Sequence, residues 1–251
     1  MSSELKRTVR QGGDSLSRVQ TQGVEIGFIA EVSMAHPNSK RLSLNRLAPD
    51  WREAVFRSIK SPRLKDAVAV LSAVGCRPAE LEKGIAISIR NNRLILGIVG
   101  AKVNPETGRG QPVRAIYIDQ TTPWGEYLFS RAKESTMEMT IRYDAGGVSQ
   151  RLREKSRELW PRRKTLVSAY SYRHFIGKSM KESGEPPEKI AMTLGHASDF
   201  SQTVYGRAGG SKKTSGMHGI ILAVTKNPVR HSAKLDKLMK HNSRTTHHNS
   251  L

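Results

Sequence analysis

Three short apolar segments between residues 85 and 118, with helical patterns on both sides, constrain the fold of this chain most. Ile85 to Ile89 is followed by a turn at Asn91-Asn92, then by Leu94 to Val99, a loop rich in Gly and Pro, and Val113 to Ile118. Short segments of this kind, separated by turn residues, predict antiparallel strands that pair in sequence order. The sequence therefore predicts a small three-stranded antiparallel β-meander inside an otherwise helical chain.

Helical patterns precede and follow this meander. Asp50 caps a predicted helix that runs from Trp51 towards Lys60, and Ser61-Pro62 begins a second helix, whose broad apolar stripe ends at Gly75. Pro78 opens a third, short helix. Further helices are predicted at about 123–134, 147–160, 168–182 and 186–194. The predicted fold class is thus α+β and mainly helical.

The charge of the chain indicates the kind of partner it binds. Its 42 Lys and Arg residues against 22 Asp and Glu residues give a formal net charge of +20. Such an excess favours a polyanion through electrostatic steering and counterion release, so nucleic acid is the first expected partner. No apolar run approaches the ~20 residues that cross a membrane, so we expect no membrane partner.

The only cysteine is Cys76, which excludes an intramolecular disulfide. No group of Cys and His has the spacing of a zinc site, so we expect no metal and no other cofactor. The N-terminus lacks the apolar core of a secretory signal. Together these features predict a protein of the reducing cytoplasm.

Polar segments flank the predicted domain on both sides. We expect a polar N-terminal arm over residues 1–47, a folded domain over 48–206 and a basic C-terminal tail over 207–251. Within the tail, Met217 to Val224 is an apolar island. Two interpretations of it remain open: a surface helix over the domain's own core, or a segment that docks on a neighbouring subunit.

Three short motifs in the second half of the chain carry side chains suited to phosphate chemistry. Tyr172-Arg173-His174 is followed by Leu194-Gly195-His196, and Tyr205 follows His196 by nine residues. Arginine grips phosphate oxygens with a planar fork, and histidine donates a hydrogen bond or moves a proton near neutral pH. A tyrosine hydroxyl can attack phosphorus to form a covalent intermediate. The set predicts phosphoryl transfer to Tyr205.

An upstream motif completes a resemblance to a known family. Gly75-Cys76-Arg77-Pro78-Ala79-Glu80-Leu81 resembles the first arginine box of the tyrosine recombinase (phage integrase) family. The motif around Arg173 resembles its second box, the motif around His196 its third, and Tyr205 its nucleophile. Gly100-Ala101-Lys102 stands where the family has a hairpin lysine. The resemblance covers about residues 48–206 and implies the fold of the family's catalytic domain.

The resemblance also implies a role for each matching residue. Tyr205 would attack a scissile phosphate and form a 3′-phosphotyrosyl link, while Arg77 and Arg173 neutralise charge on the phosphate oxygens. His196 would add a further contact. Lys102 would protonate the leaving 5′-oxygen. No metal is required, because the two guanidinium groups take the place of a cation.

One position departs from the family pattern. Three residues before its second arginine the family usually has a histidine or a lysine, and this chain has Tyr170. A phenol can bond a phosphate or relay a proton, but its pKa near 10 makes it a poor base at neutral pH. The identity of the general base therefore stays open. Lys164 is a second candidate for the role of Lys102, and Glu80 is expected to orient Arg77.

The resemblance implies a site-specific DNA recombinase or integrase of a prokaryotic cell, its phage or another mobile element. The implied partner is double-stranded DNA. Because recombination needs two cuts on each of two duplexes, a homotetramer on this DNA is expected, associated with the nucleoid. Two alternatives remain: an integrase-like DNA-binding protein with weak or no catalysis, and a relative of telomere resolvases or type IB topoisomerases. Fewer than ~50 residues stand before Asp50, too few for the helical DNA-clamping domain that usually precedes the family's catalytic domain.

Overall fold

The computed structural model describes residues 44–205 and 218–248. Most of the predicted N-terminal arm, and residues 206–217 and 249–251 of the predicted tail, lie outside the described residues. At the start of the described part, Leu44 and Leu47 pack against the hydrophobic core.

The first three helices begin and end close to their predicted positions. Helix α1 spans Trp51–Ser58, α2 spans Pro62–Val74 and α3 spans Pro78–Lys83. Proline begins both α2 and α3, where its missing N–H would have no partner in any case. Gly75 ends α2 in the left-handed conformation, with φ of 58°. Arg77 therefore stands immediately before α3, as its N-cap residue.

The sheet has five strands rather than the predicted three. The strands are β1 Ile85–Arg90, β2 Arg93–Val99, β3 Val113–Ile118, β4 Glu138–Ile141 and β5 Ile220–Thr225. They pair antiparallel in the order β4-β1-β2-β3-β5. The predicted meander thus forms the centre of the sheet, and one additional strand lies at each edge.

Both additional strands have a physical reason to escape prediction. Strand β4 has 4 residues, too few to show a period. Strand β5 lies in the apolar island, so the prediction of a surface helix there was wrong. A short apolar run fits a helix or a strand equally well. The β-branched Ile220, Ile221 and Val224 favour the strand. It pairs with β3 of the same chain, and docking on a neighbouring subunit stays a prediction.

Four further helices match their predicted positions closely, whereas the helix in the predicted basic tail was not expected. They are α4 Pro123–Glu134, α5 Ala145–Leu159, α6 Ala169–Glu182 and α7 Pro187–Leu194, followed by a 3₁₀ helix Asp199–Tyr205 and by α8 Ala233–His248. Within the described residues, none of these helices combines the length and apolar character that crossing a bilayer requires. The architecture confirms the α+β class.

The core lies between one face of the sheet and the helices. The inward residues of the central strands, such as Ile87 and Leu96, are buried together with Leu128 of α4. Helix α2 is buried along most of its length and packs on α4 and α6. A Cβ atom on Gly75 would lie only 2.9 Å from the Cα of Arg173, so only glycine permits this approach. The end of α2 is thereby set beside α6.

Candidate active site

A carboxylate between two arginines organises one wall of the site. Glu80 of α3 is fully buried, and it accepts hydrogen bonds from the backbone N–H and from Nη1 of Arg77, both at 2.8 Å. On its other side, Arg114 of β3 donates from Nη1 at 3.1 Å and from Nη2 at 2.8 Å. Burial alone would raise the pKa of Glu80, but the charge and hydrogen bonds of Arg114, with smaller effects of Arg173 and Arg77, hold it well below its usual value. Glu80 is therefore ionised and orients Arg77.

Arg114 also connects this wall to the end of α7. Its Nε donates to the backbone oxygen of Thr193 at 3.0 Å. Gly195 follows with φ of 65°, and a Cβ atom there would lie 2.6 Å from Nη1 of Arg114. Both the left-handed backbone and the contact with Arg114 require glycine at this position. The turn that presents His196 thus depends on the arginine of β3.

Arg173 of α6 joins three elements through one guanidinium group. It is 2% exposed. Its Nε donates to the hydroxyl of Tyr205 at 2.9 Å, and its Nη1 donates to the backbone oxygen of Gly75 at 3.2 Å. Its Nη2 contacts the backbone oxygen of Leu194 and lies 3.1 Å from Nε2 of His196. Burial lowers the pKa of Arg173 from its ordinary value.

His196 is neutral, and its tautomer follows from its neighbour. Arginine can only donate, so Nε2 of His196 accepts from Arg173 and the ring proton lies on Nδ1. Burial, together with the charges of Arg173, Arg77 and Arg114, lowers the pKa of His196 to about 2. The same Nε2 lies 3.3 Å from the hydroxyl of Tyr205. An unprotonated nitrogen therefore faces that hydroxyl at neutral pH.

Tyr205 is seated against two histidines and a glycine. It ends the 3₁₀ helix and is 8% exposed. Its ring stacks on His196 with centroids 5.7 Å apart, and its centroid lies 5.2 Å from that of His174. A Cβ atom on Gly177 of α6 would lie 2.8 Å from Cγ of Tyr205. The space for the tyrosine ring exists because residue 177 has no side chain.

A cleft of about 690 Å³ opens above His196 and Tyr205. Four of its lining residues are cationic: Arg77, Lys102, Arg109 and Arg230. In the part of the chain that the structure describes, none of the lining residues is acidic. A cleft with cations on its walls and no anion concentrates negatively charged ligands.

The structure brings together most of the predicted site residues. Arg77, Lys102, His196 and Tyr205 line the cleft, and Arg173 lies beneath it, bonded to two of them. Lys102 is exposed, in the loop between β2 and β3. Tyr170 is half-buried in the first turn of α6, and it is not among the described residues that line the cleft. The exposed Lys164 does not line it either.

Sequence reasoning missed four residues of the site. Arg114 carried a signal, because it is in phase with the inward-facing Ile116 and Ile118 of its strand, where a charged side chain needs a buried partner. Gly177 carried only the weak signal of a glycine inside a helical pattern. Arg109 and Arg230 lie outside the helices and strands and carried none.

No protein-family model and no curated protein matches this chain. Among solved structures, the crystal structure of XerA recombinase is similar with a TM-score of 0.49 and 18% identity, over 66% of this chain and 61% of that one. XerH site-specific recombinase bound to difH substrate, in a pre-cleavage complex, gives a TM-score of 0.45 and 14% identity, over 62% and 47%. The post-cleavage complex of XerH with palindromic difH gives 0.44 and 14%, over 67% and 48%. The chain thus spans less than two thirds of each of these structures.

Proposed function

We propose that this protein is a site-specific DNA recombinase that cleaves and rejoins strands through a 3′-phosphotyrosyl intermediate on Tyr205. The observation that carries the proposal is the position of the Tyr205 hydroxyl, between the guanidinium of Arg173 and the unprotonated Nε2 of His196. The order of the motifs along the sequence, which resembles that of tyrosine recombinases, supports the same reaction.

The electrostatics of the cleft support a phosphodiester as the substrate. The side chain of Arg77 is 14% exposed and, among the described residues, bonds only to Glu80, so its other N–H groups are available to phosphate oxygens. The net charge of +20 favours a long polyanion over a small phosphate ester. Double-stranded DNA meets both conditions.

In the proposed reaction the hydroxyl oxygen of Tyr205 forms a bond to phosphorus as the bond from phosphorus to the 5′-oxygen breaks. Nε2 of His196 gives up its hydrogen bond from Nη2 of Arg173 and accepts the hydroxyl proton of Tyr205. Lys102 gives a proton to the departing 5′-oxygen. Burial, and after it the charges of the arginines, hold the pKa of His196 low. A bound phosphate opposes the arginine charges, which makes His196 a better acceptor when substrate is present. Attack by the 5′-hydroxyl of another strand reverses these steps, so rejoining needs no ATP.

Arg77 and Arg173 stabilise the transition state in this mechanism. Negative charge grows on the nonbridging oxygens as the new bond forms, and donors already fixed in place stabilise it most. Glu80 fixes Arg77, and two backbone oxygens fix Arg173. Removal of one such donor typically costs about 100- to 1,000-fold in rate.

Covalent capture on DNA tests the proposal. The protein is incubated with a library of nicked duplexes, and strands that stay attached after denaturation are sequenced. Wild type is expected to form such adducts, and Tyr205→Phe is expected to bind DNA without forming any. Tyr117→Phe is the matched control, because Tyr117 lies on β3 outside the cleft and its loss removes the same hydroxyl.

An adduct in Tyr205→Phe would place the nucleophile elsewhere. A wild-type protein that binds duplex DNA and never becomes attached to it would instead be an integrase-like protein that holds DNA without cutting.

As part of the same proposal, four copies of the protein act together on two duplexes. Sedimentation of the protein on paired captured sites measures the number of copies.

A further inference from the structure

Arg230 lines the cleft although it belongs to none of the predicted motifs. It lies between β5 and α8, where its backbone runs beside the residues that follow His196. Its N–H donates to the backbone oxygen of Ala197 at 2.8 Å, and its own oxygen accepts from the N–H of Asp199 at 3.2 Å. The backbone of Arg230 is thus fixed to the start of the 3₁₀ helix that carries Tyr205.

The residue after Arg230 strengthens this attachment. Nδ1 of His231 lies 2.7 Å from Oδ2 of Asp199, and its Nε2 lies 3.0 Å from Oδ2 of Asp236. Asp199 belongs to the 3₁₀ helix and Asp236 to α8. The histidine therefore holds the segment of Arg230 between these two elements.

The side chain of Arg230 is held on the opposite wall of the cleft. Its Nη2 donates to the backbone oxygen of Gly108 at 3.1 Å, in the loop that also carries Lys102. Gly108 has φ of 58°, and a Cβ atom there would lie 3.4 Å from Nη1 of Arg230. Among the described residues no carboxylate pairs with this guanidinium, so its charge is not neutralised and its other N–H groups are available to a ligand.

A second arginine stands in the same loop. Arg109 is exposed and lines the cleft, and its backbone pairs in both directions with Asn104 at 2.9 Å. Two guanidinium groups from separate parts of the chain therefore belong to the walls of the cleft, in addition to that of Arg77. Planar guanidinium groups match the oxygen geometry of a phosphodiester.

We propose that Arg230, together with Arg109, forms a second phosphate subsite in the cleft, which binds a backbone phosphodiester of the DNA strand other than the scissile one. The inference rests on the proposed function, because it takes DNA as the ligand. Backbone contacts of this kind set the register of a strand without reading its sequence. The subsite places the scissile phosphate over Tyr205 by holding one of its neighbours.

The salt dependence of DNA binding tests the subsite. Arg230→Gln removes the charge but keeps a planar donor for the oxygen of Gly108, and Arg230→Lys keeps the charge. Lys226→Gln is the matched control, since Lys226 is exposed on the same segment and does not line the cleft. Fluorescence anisotropy with a labelled duplex gives the binding constant at several salt concentrations.

Arg230→Gln is expected to reduce the slope of log K against log salt by about 0.9, the value for one phosphate contact. Arg230→Lys and Lys226→Gln are expected to keep the wild-type slope. A series of duplexes, each with one neutral methylphosphonate at a different position, then locates the contact. Wild type and Arg230→Gln should have equal affinity for the duplex in which the contacted phosphate is the neutral one. An unchanged slope in Arg230→Gln overturns the proposal, and if adduct yield falls at the same time, Arg230 only supports the loop.

Adduct formation by wild type, measured alongside, separates this inference from the proposed function. If wild type forms adducts and the slope of Arg230→Gln is unchanged, the subsite is wrong and the recombinase function stands. If wild type forms no adduct and the slope still falls by about 0.9, the subsite stands as a DNA contact and the proposed function is wrong.

Discussion

Gly177 shows how a residue without a side chain fixes the position of the proposed nucleophile. In Gly177→Ala the new methyl group would lie 2.8 Å from Cγ and 3.0 Å from Cβ of Tyr205, so the ring must move. Alanine is the better helix former by ~1 kcal/mol, so α6 itself is not weakened. A displacement of about 1 Å can cost ~100-fold in rate, and we expect adduct formation to slow by that order.

The matched control for this variant is Gly146→Ala, in the exposed first turn of α5. Its rate of adduct formation should equal that of wild type. If Gly177→Ala also formed adducts at the wild-type rate, the packing around the ring of Tyr205 would tolerate a methyl group.

His196 should make the folded protein sensitive to acid. Its pKa is about 2 in the folded state and near 6.5 when unfolded, so between these values the unfolded chain binds one proton more. The free energy of unfolding then falls by about 1.4 kcal/mol for each pH unit below about 6.5. His196→Gln removes this contribution, so its stability should decrease less steeply with acid. Urea unfolding of both proteins between pH 7 and pH 4 measures the difference, and parallel curves would contradict the neutral, buried state of His196.

At the scale of elements, the pair of Glu80 and Arg114 fastens α3 to the sheet and, through Thr193, to α7. Both side chains are 0% exposed. Glu80→Gln would leave Arg114 buried without a counterion, and breaking a buried pair in this way costs about 3–5 kcal/mol. We expect a decrease of that size in the free energy of unfolding, measured with urea at pH 7.

The control for the buried pair is Glu53→Gln, which breaks the ion pair with the 75% exposed side chain of Arg57. Exposed pairs contribute about 0–1 kcal/mol, so this change should be nearly neutral. If the two variants lost equal stability, the network around Glu80 would have no special structural role.

Elements with a strong local signal were predictable from the sequence. Proline at the start and glycine at the end gave α2 its bounds, and the turn at Asn91-Asn92 gave the register of β1 and β2, since both residues adopt the positive φ that such a turn requires. The β-branched residues of β5 were a local signal for a strand, but its place at the edge of the sheet was not predictable, because it depends on β3, far away in the sequence. Pairing between distant segments leaves no local pattern.

At the scale of the whole molecule, β5 and the helix after it attach the C-terminal part of the chain to the sheet and the core. Removal of residues 218–251 would expose the edge of β3 and take away the buried Ile220 and Leu235. Each such side chain contributes about 1.5–3 kcal/mol when buried, so the melting temperature should fall by roughly 10 °C. Removal of residues 241–251 alone keeps both side chains and should change it little. An unchanged melting temperature in the longer deletion would show that β5 adds nothing to the domain.

The pairing of β5 with β3 also explains which residues of the site could be predicted from the sequence and which could not. The order of the motifs was sufficient to predict that Arg173, His196 and Tyr205 come together. The position of Arg230 in the cleft could not be predicted, because it depends on the pairing of β5 with β3. The domain bounds, the tetramer and the catalytic roles of all the site residues stay predictions: Arg77, Lys102, Tyr170, Arg173, His196 and Tyr205.

The hydrogen bonds of Arg173 have a consequence for how a reaction could begin. Each of its three nitrogens already has an acceptor, and one of these acceptors is the hydroxyl of Tyr205. An incoming phosphate oxygen can bind Nε only by exchange with that hydroxyl, so the number of hydrogen bonds stays constant and the gain comes from opposite charges. The exchange frees the hydroxyl at the moment a phosphate occupies its former position. In the proposed reaction, arrival of the phosphate at Nε and release of the tyrosine hydroxyl are then a single event, and without a phosphate the hydroxyl stays bonded to Arg173.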